Sequence, residues 1–320
     1  MHDRSPARAA CRAEDMRIGV LLASLCLAGC GSAKTSGFEQ APPGGGNGFG
    51  DGQQGQLGGA KPAPSDGNQT GCSEAAKLVY VVSDGNELYS FAPDKVTFSR
   101  IGTLRCPSGG ATPNSMAIDR AGTAWVNFSD GALFKVSTAD ASCEATTFQK
   151  GQSGFERFGM AFATNSASTS DETLFVVGID GPGQGKGLAK IDLSTMKLTL
   201  LGDFSGNLEG TAAELTGTGD GRLFGFFTTV PYATLAQIDM ASGATNGERD
   251  LGGVSTGNAW AFSFWGGDFW FYTSTGLAPS TVTRLKASSD NSISTAKQNV
   301  GNFRIVGAGV STCAPTAPPR

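Results

Sequence analysis

From residue 78 onward the chain consists of short apolar runs broken by Gly, Asp and Ser, a pattern of β-strands and tight turns rather than helices. One kind of run recurs five times: Leu78-Val79-Tyr80-Val81-Val82, Ala124-Trp125-Val126-Asn127-Phe128, Leu174-Phe175-Val176-Val177-Gly178, Leu223-Phe224-Gly225-Phe226-Phe227 and Phe269-Trp270-Phe271-Tyr272-Thr273. Successive starts are 46, 50, 49 and 46 residues apart. A second run follows each: Leu88–Phe91, Leu133–Val136, Leu188–Ile191, Leu235–Ile238 and Val282–Leu285. A third strand closes each unit, at 97–104, 143–148, 197–204, 244–252 and about 293–300. A further strand precedes four units, at Met116–Ile118, Met160–Phe162, Leu215–Gly217 and Ala261–Ser263, whereas the first unit has none. The chain ends on a surplus strand, Ile305–Val310. A period of this length with several strands per repeat predicts an all-β fold, a single β-propeller. Twenty strands make five four-stranded blades if the C-terminal strand completes the first blade, which also protects an open sheet edge. A β-sandwich, two smaller β domains or a sixth blade are the competing arrangements.

The tails Ile191-Asp192-Leu193-Ser194-Thr195 and Ile238-Asp239-Met240-Ala241-Ser242-Gly243 resemble the strand-and-turn pattern of bacterial quinoprotein-like propellers. That resemblance covers short pieces and implies fold rather than function.

The N-terminal pattern is different. Met16 to Cys30 reads MRIGVLLASLCLAGC: one positive charge at Arg17, an apolar run, then Leu27-Ala28-Gly29-Cys30. This is the order of a secretory signal, and its end resembles the lipobox of bacterial lipoproteins. The resemblance implies cleavage before Cys30 and acylation of its thiol. The implied partner is a lipid bilayer, held firmly because each buried methylene contributes about 0.8 kcal/mol. Gly31 resembles the outer-membrane default rather than an inner-membrane retention signal, so the expected address is the outer membrane. The apolar run is too short for a spanning helix, which needs about 20 residues; a plain secretory signal is the other alternative. Residues 1–15 place Glu14 and Asp15 where a signal needs positive charge, so they read as an over-extended start before a signal peptide at 16–29.

Residues 30–71, which contain Pro42-Pro43-Gly44-Gly45-Gly46 and Pro62-Ala63-Pro64, have few large apolar side chains. They cannot offset their ordering entropy by burial and read as a tether with a reach of roughly 35 Å. The propeller is expected over 72–313, followed by a Pro-rich tail at 314–320.

Seven cysteines refine this picture. Cys11 and Cys26 leave with the leader and Cys30 is the lipidation site. The remaining four, Cys72, Cys106, Cys143 and Cys313, imply disulfides in an exported chain. Cys72 stands just before the first recurring strand and Cys313 just after the surplus one. A Cys72–Cys313 bond would replace the hairpin that joins those two strands in every other blade, leaving Cys106 to pair with Cys143. A Cys₄ zinc site is the rival, but no Cys-x-x-Cys spacing is present, and no metal or cofactor is expected.

The chain has 24 Lys and Arg against 28 Asp and Glu, a formal charge of −4. With no basic run, it has no footprint for nucleic acid. Its one histidine is His2, in the leader, so the mature chain can host neither a Ser-His-Asp hydrolase nor a His-ligated metal. Paired carboxylates remain. Five-bladed propellers host glycosidases that use them, and Asp84, Asp119, Asp130, Asp220 and Asp268 are the candidates. Asp84, Asp130 and Asp220 each precede Gly at a hairpin position, where Asp-Gly forms turns; Asp119 and Asp268 flank inner turns. Gly181–Gly187 lacks the Lys-Ser/Thr ending and helix of a phosphate loop and reads as a hairpin tip. Trp260, Trp265, Trp270 and Tyr272 sit in the densest aromatic stretch and are candidates for stacking a sugar ring or apolar ligand, against simple packing between blades. The sequence thus predicts a lipid-anchored envelope protein whose propeller is a binding or scaffold module for a glycan or an envelope protein. A carbohydrate-active enzyme is the alternative. Acids facing each other across the channel would favour the enzyme; a rim of Ser, Thr, Asn and aromatics would favour the binder.

Overall fold

A computed structural model describes residues 72–319 except Pro182. The expected signal peptide at 16–29, the expected lipidation site Cys30 and the expected tether up to residue 71 lie outside the described residues. Three single-turn 3₁₀ segments are the only helical elements among them, and no helix there is long and apolar enough to cross a membrane.

The fold is a five-bladed β-propeller. Three strands of the first blade come first, β1 (Val79–Ser83), β2 (Glu87–Ala92) and β3 (Thr97–Thr103). The second blade is β4 (Pro113–Ile118), β5 (Thr123–Phe128), β6 (Leu133–Ser137) and β7 (Cys143–Ala145). The third is β8 (Arg157–Thr164), β9 (Glu172–Gly181), β10 (Gln184–Asp192) and β11 (Lys197–Gly202). The fourth is β12 (Ala213–Gly217), β13 (Leu223–Phe227), β14 (Thr234–Ile238) and β15 (Thr245–Asp250), and the fifth β16 (Ala259–Trp265), β17 (Asp268–Ser274), β18 (Thr281–Leu285) and β19 (Ile293–Lys297). The last strand, β20 (Ile305–Val310), returns to the first blade, giving the order β20-β1-β2-β3. It pairs antiparallel with β1 in the register Val79↔Val310, Val81↔Ala308 and Ser83↔Ile305. All five sheets are four-stranded meanders, and the expected closure is the one observed.

Closure is also covalent. Cys72 and Cys313 are bonded with their Cα atoms 5.8 Å apart. A second bond, Cys106–Cys143, staples the chain after β3 to β7 of the next blade. The Pro-rich tail folds back on the fifth blade, where Pro315 O accepts the Gly266 N–H at 2.8 Å.

Packing follows from the alternation of each strand. Five buried apolar clusters fill the five clefts between neighbouring blades. Phe158, Met160 and Phe162 meet Trp125 between the second and third blades; Phe224 and Phe226 meet Phe262 and Phe264 between the fourth and fifth. Burial of each such side chain contributes about 1.5–3 kcal/mol. Near the axis the inner strands approach too closely for side chains. A Cβ on Gly159 would lie 2.2 Å from Ala213 O, and one on Gly307 would lie 2.9 Å from Met116 N.

Candidate functional site

The inner strands begin at one end of the channel, and the β1–β2 and β5–β6 turns meet them there. They enclose a funnel of about 240 Å³, lined by Asp84, Thr112–Asn114, Ser129, Arg157, Ile179, Glu214, Asn258–Trp260, Arg304 and Val306. This is below the ~300–1,000 Å³ of sites that enclose drug-sized ligands, and suits one ring-sized group or the end of a chain.

Glu214 forms the funnel's buried acid. It stands on β12 and is 2 % exposed. The space left by Gly159 allows its neighbouring backbone to sit against β8. Ser115 Oγ, on β4, donates to Glu214 Oε2 at 2.7 Å. Burial pushes the Glu214 carboxyl well above the usual carboxylate range, and hydrogen bonds from Ser115 and the Met160 backbone only partly oppose this. Burial therefore favours the protonated form of this carboxyl.

Arg157 opens β8 and is held by its neighbours in the chain. Buried Asn127 donates through Nδ2 to Glu156 O at 3.2 Å and accepts the Phe158 N–H at 3.1 Å. Asn114 Nδ2 donates to Phe158 O at 3.2 Å. The backbone is thus clamped on both sides of Arg157, while its guanidinium has no hydrogen bond or ion pair among the described residues. Other cations on this face are matched. Arg304 Nε and Nη2 both donate to Asp84 Oδ2, at 2.8 and 2.6 Å, Lys150 pairs with Asp130, and Lys186 Nζ lies 2.8 Å from Asp180 Oδ2.

Trp260 is the aromatic of the funnel. Its indole N–H is buried with no acceptor, an arrangement costing about 1–3 kcal/mol. Beyond the funnel rim on the same face are exposed Val230, Tyr232 and Leu277, on the β13–β14 and β17–β18 connections.

The opposite end is closed. Arg120 Nη1 donates to Thr312 Oγ1 at 3.1 Å, and Thr312 Oγ1 donates to Glu172 Oε2 at 2.8 Å. Arg120 N donates to Glu172 Oε1 at 2.8 Å, and Arg120 Nη2 reaches Cys72 Sγ at 3.5 Å. Desolvation raises the Glu172 carboxyl to about 7; the hydrogen bonds from Arg120 N and Thr312 oppose the shift, and the Asp119 charge adds to it.

The sequence candidates distribute unevenly. Asp84 reaches the funnel but is committed to Arg304. Asp119 caps a turn through Thr123 N and Trp125 Nε1. Asp130 accepts from Ala132 N and Lys150, Asp220 holds Arg222, and Asp268, 1 % exposed, holds Arg284 and Ser288. Their work is turn and ion-pair chemistry. The Gly181–Gly187 stretch lies at the β9–β10 hairpin. The aromatic platform requires correction, because strand alternation sends its members in different directions. Trp270 and Tyr272 are buried between the fifth and first blades, with Tyr272 Oη against Ser263 Oγ. Trp265 packs on the same cluster at the closed end and donates to Lys77 O at 3.0 Å. Only Trp260 lines the funnel. Arg157, Asn127 and Glu214 were not singled out from sequence; the signal was a polar residue at or inside an otherwise apolar strand. No group of His, Cys, Asp and Glu that could hold a metal occurs among the described residues.

No protein-family model matches the chain, and no curated protein matches it. Solved structures similar to it include TolB from Acinetobacter baumannii (13% identity, TM-score 0.39, 68% of this chain and 51% of that one). Hydrazine synthase from Kuenenia stuttgartiensis is another (13%, 0.39, 72% and 69%), and a gluconolactonase from Xanthomonas campestris a third (14%, 0.42, 71% and 74%). The chain spans about half the length of the TolB chain. Likeness at this level concerns the fold and says nothing of activity.

Proposed function

We propose that this protein is a lipid-anchored envelope protein whose propeller is a binding module, taking the end of a saccharide chain into the funnel. The observation that carries the binding reading is the funnel itself: a blind polar recess holding Trp260, Asn114, Asn258, Thr112 and Ser129 around an unpaired Arg157. Pockets of this kind bind by an apolar or aromatic wall with a few placed polar groups. Leu27-Ala28-Gly29-Cys30 supports the anchor. A glycan array with the purified full chain tests the binding reading: a defined set of glycans binds, and Trp260→Ala loses that signal. Absence of any glycan signal, or a signal indifferent to Trp260→Ala, overturns it. Cys30→Ala abolishes fatty-acid labelling; labelling that persists overturns the anchor.

Asp84 and Glu214 share the funnel, which favours a glycoside hydrolase as the second reading. Release of reducing sugar from a bound glycan, abolished by Glu214→Gln, would establish that reading over the binder.

A further inference from the structure

Resting on the saccharide-binding reading of the funnel, we propose that its ligand carries a carboxylate, as a terminal uronic acid does, and that Arg157 is the group that reads it. The first argument is charge. The protein is acidic overall, with a formal charge of −4, yet the funnel wall carries a guanidinium with no acidic partner among the described residues. Arg304 and Asp84 pair with each other, with side chains 24 % and 34 % exposed, and Glu214, buried and bonded to Ser115, lies in surroundings that favour its protonated form, which leaves Arg157 as the group without a partner. Glu156, the residue just before the strand, is exposed and does not line the funnel. A guanidinium presents a planar fork of donors that matches a carboxylate in two parallel hydrogen bonds.

The second argument is preorganisation. An arginine serving only solubility needs no support. Here buried Asn127 satisfies the backbone on both sides of Arg157, and Asn114 adds a third bond to Phe158 O. A buried amide is costly unless fully bonded, and Asn127 is: besides this stretch it accepts from Asn114 Nδ2 at 3.1 Å and donates to Ala132 O at 3.4 Å. Asn127 is a positioning residue, and Arg157 the contact. The third is fit. Trp260 contributes an aromatic side chain to the wall, and the volume of about 240 Å³ accepts one sugar ring. Asn114 Oδ1 takes no donor among the described residues, so it is available to a sugar hydroxyl.

The test is a chemical-shift titration of the full chain with glucuronate, glucose and inorganic phosphate, on the native protein and on Arg157→Gln and Arg157→Lys. Because Arg157 has no partner to lose, both variants should melt like the native protein. Glucuronate should bind roughly ten- to hundredfold more tightly than glucose, the range of one charge-assisted pair. Arg157→Gln should abolish that preference, and Arg157→Lys should keep part of it. Equal binding of the two sugars, or a preference that survives Arg157→Gln, overturns the carboxylate reading and leaves saccharide binding standing. Phosphate binding more tightly than glucuronate overturns it in favour of a phosphate ligand. No shift at funnel residues with either sugar overturns both this inference and the saccharide reading beneath it.

Discussion

Replacing the closing disulfide by Cys72→Ser with Cys313→Ser should cost the whole domain stability without opening the ring. The bond joins residues 241 apart in sequence. On the chain-entropy account a loop of that length restrains the unfolded state by about 5.5 kcal/mol at 25 °C, against about 4 kcal/mol for the 37-residue separation of Cys106–Cys143. In the folded state β20 remains paired to β1 over five residue pairs, and Gly307 and Gly309 lie against β4, so the strand stays docked. The effect therefore falls on the unfolded ensemble. Urea unfolding of the double variant should show a lower midpoint and also a steeper slope, because the unlinked chain exposes more surface when unfolded. At about 2–4 °C per kcal/mol for a domain of this size, the melting temperature should fall by about 10–20 °C. A loss under about 1 kcal/mol, or one smaller than that of the Cys106→Ser, Cys143→Ser variant, would refute the reasoning.

Truncation after Asn302 removes β20 altogether and should destabilise the entire domain, measured as one cooperative shift in the melt rather than frayed exchange at the C-terminus. The Glu172 carboxyl is raised to about 7 when folded from 4.5, so the folded chain keeps a proton that the unfolded chain releases. Stability should fall as pH rises from about 4.5 to 7 by up to about 3 kcal/mol, and Glu172→Gln should flatten that part of the pH profile; an unchanged slope counts against it. Trp260→Phe removes an indole N–H that has no acceptor, so denaturation should show neutral or slightly raised stability alongside weakened ligand binding; a loss above about 2 kcal/mol would show that the N–H is satisfied. Gly159→Ala forces a Cβ to 2.2 Å from Ala213 O and should cost about 1–3 kcal/mol by overpacking, read in the same unfolding assay.

The blade repeat was legible because each strand carries its own apolar alternation, and the closure was legible because unit one lacked a strand that residues 305–310 could supply. The disulfide pairing followed from that closure. The funnel was not legible, because its contacts join distant positions: Ser115 meets Glu214 across 99 residues, and Arg304 meets Asp84 across 220. Glu214 lay one residue outside the strand read as beginning at Leu215. The aromatic density of the fifth blade was misleading for a different reason. Trp260 and Trp270 both pack between blades, but only the register between strands places Trp260 where the cleft between the fourth and fifth blades opens on the funnel and Trp270 deep in the cleft between the fifth and first.

The closing bond also determines how the domain would bear tension. Cys72 stands at the closed end, beside Arg120 and Thr312, so the chain before it joins the propeller on the side away from the funnel. A pull along the tether enters at a residue bonded to the end of β20 as well as leading into β1. The load is shared between two neighbouring strands held in register, and must shear them together instead of peeling one from the sheet. The same bond would let the protein hold a ligand under strain without unravelling from its anchored end.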